Sequence, residues 1–282
     1  MPKVTIADCA GFCFGVERAI KLVYDARKNH DNVVTFGPII HNPQAVSDLE
    51  SMGVFVKNSI GDITSAMTAV IRTHGASKDD AAQLNARAHS VLDATCPFVK
   101  KVQSAAQELS KAGYSVVVVG EADHPEVHGI ISYIDGEYFN VVSVEEAEKL
   151  PERDKYGVVA QTTQNGKAYD EIVSVVKTKA ISADVSVAYT ICNATHNRQA
   201  AALELAKHVD VMIIVGGRNS ANTTRLYQLC KAVCERTYHI ETKAEVSSVM
   251  MADAAHVGIS AGASTPNFIV SQVKDYILEN GK

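Results

Sequence analysis

Short valine- and isoleucine-rich runs alternate along the chain with longer stretches in which apolar residues return every three or four positions. Runs such as Val116–Val119 and Val211–Val215 are apolar at every position, without inside–outside alternation. That is the pattern of strands covered on both faces, as in parallel sheets flanked by helices. The longer stretches place apolar residues at helical spacing and predict amphipathic helices. Strand and helix patterns alternating in this way predict an α/β fold built on parallel sheets.

The alternation repeats three times. Val33–Phe36 leads through Gly37 to a loop holding His41 and then a helix. Ser115–Gly120 leads to a loop with His124 and Glu126, and Asp210–Gly216 to a loop with Asn219, Ser220 and Asn222, each again followed by a helix. A second strand and polar loop follow in each case: Val70–Gly75 with His74, Val158–Thr163 with Thr162, and His256–Thr265 with Ser264. A third element ends at a cysteine: Cys96 in DATCP, Cys192 in YTICN and, from the start of the chain, Cys13 in AGFCFG. Three similar small α/β units are therefore expected, over residues 1–96, 97–191 and 192–282, with the N-terminal strand closing the third. Polar side chains recur at the C-terminal ends of the strands, the edge at which open α/β sheets bind ligands.

Composition narrows the function classes. With 282 residues, 46% hydrophobic and 21% charged, the chain supports a sizeable core and is not disordered. A net charge of −5 without a Lys/Arg block argues against general binding to nucleic acid or to an anionic membrane. An anionic ligand must then be held by a local site. No apolar run approaches the ~20 residues of a spanning helix. The opening residues carry no secretory pattern, so the expected location is the cytoplasm. In that compartment the six cysteines point to metal binding or catalysis rather than disulfides.

Cys13, Cys96 and Cys192 share a setting, each ending a strand-like run and opening a helix. The helices are read from Val16, Ala19, Ile20 and Val23, from Val99, Val102, Ala105, Ala106 and Leu109, and from Ala200, Leu203, Ala206 and Val209. A helix N-terminus favours the thiolate, the form that binds iron or zinc. Taken singly, such a cysteine is a small buried apolar residue. Three in equivalent places read as ligands that leave a fourth metal position open, as in catalytic sites. Cys9, read as part of the first strand, and Cys230 and Cys234, four apart on one helix face, are expected to be structural.

His41, His74 and His124, with Ser220, Asn222, Ser264 and Thr265, form a set of donors suited to a phosphate or diphosphate. Ser264-Thr265-Pro266 also reads as a helix start. Glu126 is the one acid within this set. Taken alone it reads as a solvated loop glutamate; close to a metal cluster and partly dehydrated, its protonated form would be favoured, which suits a proton donor, with Thr162 relaying or orienting the proton.

The motifs AGFCFGVERAI, HNP, THG, DATCP, EADHPEVHG, QTT, TICNATHNRQA, NSANT and GASTP, in this order from Asp8 to about Asn267, resemble the 4-hydroxy-3-methylbut-2-enyl diphosphate reductase (IspH/LytB) family. The resemblance implies a pseudo-threefold trefoil of three α/β units around a central cavity and one 4Fe–4S cluster. Cys13, Cys96 and Cys192 would hold the cluster and leave the fourth iron open to the substrate. It further implies reductive dehydroxylation of 4-hydroxy-3-methylbut-2-enyl diphosphate to isopentenyl and dimethylallyl diphosphate, the last step of the methylerythritol phosphate route. Glu126 would supply protons, with Thr162 and His124 in the hydroxyl network. His41, His74, Ser220, Asn222 and Ser264 would bind the diphosphate, and a ferredoxin or flavodoxin would donate electrons.

Two positions depart from the family pattern. Serine is usual where Ala221 stands, which removes a side-chain donor and leaves the Ala221 backbone N–H for the diphosphate. An acid is common where Asn267 stands, a small electrostatic loss near a helix start. Two other readings compete with the reductase: a non-catalytic iron–sulfur redox or iron sensor of the same fold, and a zinc or thiol enzyme acting on phosphorylated metabolites.

Overall fold

The computed structural model describes residues 2–40, 42–218 and 220–280. Its strands are β1 (Lys3–Ile6), β2 (Val33–Phe36), β3 (Phe55–Lys57), β4 (Thr68–Ile71), β5 (Ser90–Asp93) and β6 (Ser115–Val119), followed by β7 (Tyr138–Val141), β8 (Arg153–Ala160), β9 (Ala180–Val187), β10 (Val211–Val215), β11 (Thr237–Ile240) and β12 (His256–Ala261). They form three four-stranded sheets, ordered β3-β2-β4-β5, β7-β6-β8-β9 and β11-β10-β12-β1. Every pairing is parallel. The three orders are one topology, second-first-third-fourth, with β1 as the fourth strand of the last sheet: Val4 pairs with Val257 and Ile6 with Ile259.

The chain divides into two compact units. One comprises Met1–Glu17, Ile40–Ser51 and Asn193–Lys282, the other Arg18–Ile39 and Met52–Cys192. In the first, Val211, Ile213 and Val215 of β10 pack with Val257 and Ile259 against Ile269, Val273 and Ile277 of the helix Asn267–Asn280. Met212 and Ile214, pointing the other way, pack on Ala202, Ala206 and Leu226. Both faces of β10 are thus covered, which is why its sequence shows no alternation.

The second unit repeats this arrangement in the sheet β7-β6-β8-β9. Val117, Val119 and Val158 meet Ile172, Val173 and Val176 on one face. Val116, Val118 and Val159 meet Val102, Ala106 and Val127 on the other. Its other sheet packs Val34, Ala69 and Ile71 against Ile63 and Leu84. No helix among the described residues is long and apolar enough to cross a membrane.

Candidate active site and metal centre

In a sheet of order second-first-third-fourth the strand order reverses between the first and third strands, and the loops leaving their C-terminal ends splay apart. Here those pairs are β2 and β4, β6 and β8, and β10 and β12. The polar residues singled out by sequence leave these ends, and the three cysteines follow the fourth strands β5, β9 and β1. His41, expected after β2, lies outside the described residues.

Within the unit Arg18–Ile39 and Met52–Cys192, one connected set of side chains forms. The loop after β6 can pass close to β8 because residue 120 is glycine: a Cβ there would lie 2.8 Å from Val127 Cγ2 and 2.9 Å from Gln161 Cβ. His124 then caps the helix Pro125–Ile131, its Nδ1 accepting the Glu126 N–H at 3.1 Å. An accepting Nδ1 leaves the hydrogen of the neutral ring on Nε2. Glu126 is only 2% exposed. Its Oε1 accepts the Thr162 N–H at 2.7 Å and its Oε2 accepts the Thr162 hydroxyl at 3.0 Å. Burial pushes the Glu126 carboxyl up to about 7, while the two Thr162 donors pull it down.

The His74 ring meets the His124 ring edge-on, with centroids 5.3 Å apart. The backbones of two cysteines are tied to the same set: Cys96 N–H donates to Thr73 O at 2.9 Å, and Cys192 N–H to Thr162 O at 2.8 Å. His74, His124, Glu126 and Thr162 are therefore brought together as the sequence placement suggested.

The other unit holds the remaining groups. Ser220 caps the helix Ala221–Lys231, its oxygen accepting the Thr223 N–H at 3.3 Å and the Thr223 hydroxyl at 3.0 Å. That leaves the Ser220 hydroxyl hydrogen to donate elsewhere. Ala221 and Asn222 are the first two residues of that helix, and Asn222 is exposed. Ser264 is half-buried in the loop after β12. Thr265 departs from expectation: it is buried, and its hydroxyl donates to Val215 O at 3.1 Å, so it holds the fold rather than a ligand.

Cys13, Cys96 and Cys192 each stand immediately before a helix, Phe14–Asn29, Pro97–Lys111 and Asn193–Ala206 respectively. All three are half-buried, and none of the six cysteines forms a disulfide. Cys13 is further fixed by its N–H to Ala263 O at 3.1 Å. Ahead of it, Asn267 Oδ1 accepts the Phe12 N–H at 3.2 Å. Gly11, at φ +88°, brings the backbone so close to that amide that a Cβ would stand 2.1 Å from Asn267 Oδ1. Asn267 is therefore a hydrogen-bond acceptor for the Cys13 loop, a role its position at a helix start did not reveal.

Cys230 and Cys234 are buried, and burial pushes the Cys230 thiol up to about 11, leaving it protonated and inert. Cys234 is not on the shared helix face expected for it, because the helix ends at Lys231. Cys9 is not in the first strand either. It is exposed, beyond the end of β1, in a left-handed turn at φ +63°.

Among the described residues no group of three or more His, Cys, Asp or Glu side chains is gathered as a site for a single metal ion. A cubane cluster makes no such demand, because each iron takes its own thiolate. Each of the three cysteines is a half-buried thiol at a helix start with its backbone N–H already bonded, which is the chemistry of a thiolate ligand to iron.

Sequence periodicity missed one residue of this region. Periodicity predicts an apolar stripe at Ala200, Leu203, Ala206 and Val209, but the helix spans Asn193–Ala206, Ala200 is exposed, and the buried positions are Arg198, Ala202 and Ala206. Arg198 is a charge at a core position, where a search for apolar residues passes over it. Its spacing of four and eight from the two buried alanines is the signal that was available.

The family model described as LytB protein matches residues 4–278. The chain belongs to that family. A LytB relative from Syntrophotalea carbinolica, named 4-hydroxy-3-methylbut-2-enyl diphosphate reductase, is 46% identical over 99% of this chain and 100% of its own length. One from Trichlorobacter lovleyi with the same name is 47% identical over 96% of each chain. A solved structure of (E)-4-hydroxy-3-methyl-but-2-enyl diphosphate reductase, described as the terminal enzyme of the non-mevalonate pathway, is 44% identical. It superposes with a TM-score of 0.84 over 99% of this chain and 100% of its own. The E-1-hydroxy-2-methyl-but-2-enyl-4-diphosphate reductase structure from Plasmodium falciparum, 24% identical with a TM-score of 0.82 over 100% of this chain and 88% of its own, shares the LytB fold.

Proposed function

We propose that this LytB chain is a 4-hydroxy-3-methylbut-2-enyl diphosphate reductase, removing the C4 hydroxyl of its substrate as water with two electrons and two protons to give isopentenyl and dimethylallyl diphosphate. The observation that carries the reading is the buried Glu126 carboxyl, gripped by both donors of Thr162 beside His124, in a chain related over its whole length to reductases of that name. Cys13, Cys96 and Cys192 would hold a 4Fe–4S cluster, which supplies the electrons and, at an iron without a cysteine, a Lewis acid for the hydroxyl.

The chain's own groups supply the rest. With its carboxyl at about 7, Glu126 holds a proton in a large share of molecules at neutral pH and releases it without prohibitive cost. Thr162 fixes both carboxyl oxygens, so the proton is presented from one orientation. The His124 Nε2–H is a donor for a hydroxyl or phosphate oxygen, with the His74 ring packed against it. The Ser220 hydroxyl, Asn222, Ser264 and the Ala221 backbone N–H are donors for the diphosphate, and His41 belongs with them by motif. A helix start at Ala221 adds the partial positive charge that favours an anion. The expected electron donor is a ferredoxin or flavodoxin, and the expected compartment the cytoplasm.

The test is anaerobic turnover. The protein purified without air should be brown and should oxidise a reduced viologen only when 4-hydroxy-3-methylbut-2-enyl diphosphate is added, and Cys96→Ala should abolish that oxidation. A brown protein that binds the diphosphate yet never oxidises the dye would replace the reductase with a sensor.

A further inference from the structure

Arg198 is 5% exposed, on the helix that follows Cys192. Its Nη1 donates to the carbonyls of Cys9 and Ala261, the latter at 3.1 Å. Its Nε is buried and has no hydrogen-bond partner. No carboxylate among the described residues forms an ion pair with it. A guanidinium does not shed its proton to escape burial, so the interior here holds a permanent positive charge whose named partners are two neutral carbonyls. A buried charge left in that condition is strongly destabilising unless an opposite charge lies near it. Burial disfavours the charge, and the groups that favour it are the sulfurs of Cys13 and Cys9.

The carbonyls it grips are informative. Ala261 ends β12, and Cys9 is the residue forced into the left-handed turn from which the chain proceeds through Gly11 to Cys13. Arg198 thus ties the Cys13 loop to the end of the central strand of its sheet. Asn267 and Ala263 hold the same loop from the other side, through Phe12 and Cys13. Holding two carbonyls takes only N–H donors, and the permanent charge adds a burial penalty that two bonds to neutral carbonyls do not offset.

We propose that Arg198 is a positioning residue of the metal centre, a fixed buried cation that braces the Cys13 loop and offsets the negative charge of the cluster bound there. The inference rests on the reading of Cys13 as a cluster ligand. Positive charge near a cluster stabilises its reduced form, so Arg198 raises the reduction potential.

The experiment compares the wild-type holoprotein with Arg198→Gln, which loses the charge and keeps only a shorter amide donor, and Arg198→Lys, which loses the fork and keeps the charge where its buried ammonium stays protonated, so potentials are read across pH and compared on the acid side. Each is reconstituted anaerobically. Iron per chain is counted, and the midpoint potential is read by a redox titration followed by electron paramagnetic resonance. The expected result is a lowered potential in Arg198→Gln and a potential close to wild type in Arg198→Lys, both folding as judged by circular dichroism. Equal potentials in wild type and Arg198→Gln would overturn the proposal, as would equal shifts in the two variants, which would leave only a structural brace. Should Arg198→Gln fail to fold, Arg198→Lys decides alone: a wild-type potential supports the fixed charge and a displaced one overturns it. Wild-type protein that takes up no cluster would instead refute the reading of Cys13.

Discussion

Two buried ionisable side chains stand on helices, one in each unit, and the molecule treats them oppositely. Glu126, in the helix Pro125–Ile131, is enclosed with two donors from one residue, and its charge is optional: burial favours the neutral acid and Thr162 the anion, so the balance falls near neutrality. Arg198, in the helix Asn193–Ala206, is enclosed with two carbonyls and has no neutral form to retreat to. The proposed function puts the switchable charge where a proton moves, and the proposed brace puts the fixed charge beside a cluster thiolate. The exposed Glu137 marks the contrast: hydrogen bonds from Arg153 hold it down to about 2, so it is always charged and serves neither purpose.

The largest effect expected is at the switchable site. Glu126→Gln keeps the shape and an acceptor for the Thr162 N–H, reverses the hydroxyl contact so that the amide donates, and removes the acidic proton, and turnover should fall roughly 10²–10⁴-fold, the usual share of a general acid. Iron content and colour should be unchanged. Undiminished turnover would break the comparison at once, since Glu126 would then be a buried acid without a task.

A smaller effect separates the two Thr162 donors. Thr162→Val removes the hydroxyl that stabilises the carboxylate and keeps the backbone N–H. The Glu126 carboxyl then titrates above its present value of about 7. The rate requires the acid form and falls as pH rises through that value, so the alkaline limb of the pH–rate profile should move to higher pH in Thr162→Val. An unmoved limb would mean that another group carries the proton.

The same burial fixes how stability depends on pH. A carboxyl raised from 4.5 to about 7 binds more protons folded than unfolded within that window. Stability from this group therefore declines as pH rises from about 4.5 through 7 and levels off above it, by at most on the order of 3 kcal/mol. Glu126→Gln has no such decline, so its melting temperature should gain on wild type between pH 5 and pH 8. Parallel melting curves for wild type and Glu126→Gln would show that the carboxyl does not change state there.

Much of this was legible in the sequence, for reasons that differ from residue to residue. Continuously apolar strands can only be buried on both faces, so the parallel sheets followed from Val116–Val119 and Val211–Val215. The proton-donor reading of Glu126 came from one acid set among donors at strand ends, with a solvated loop glutamate as its alternative, and the burial of its carboxyl is what the fold adds. What escaped was whatever depends on the direction of a side chain or the sign of a dihedral. Thr265 and Ser264 are neighbours of similar chemistry, yet Thr265 turns inward to Val215 O. Cys9 sits one turn past a strand at a positive φ that nothing in its residue type requires. Arg198 escaped because periodicity is counted on apolar residues, while this helix buries a cation on its core stripe.

Asn267 offers the finest test of the fixed-charge side, because charge and hydrogen bond can be separated there. Its Oδ1 accepts the Phe12 N–H, and it is the first residue of the helix Asn267–Asn280. Asn267→Asp keeps an oxygen at that place and adds a negative charge at a helix N-terminus. The expected result is a small rise in stability, about 0.3–1 kcal/mol, that shrinks with added salt. Asn267→Ala keeps neither, and should lose roughly 0.5–1.5 kcal/mol as the acceptor for Phe12 disappears. If the two variants melt together, the Phe12 contact contributes nothing, and the Cys13 loop is held from the Arg198 and Ala263 sides alone.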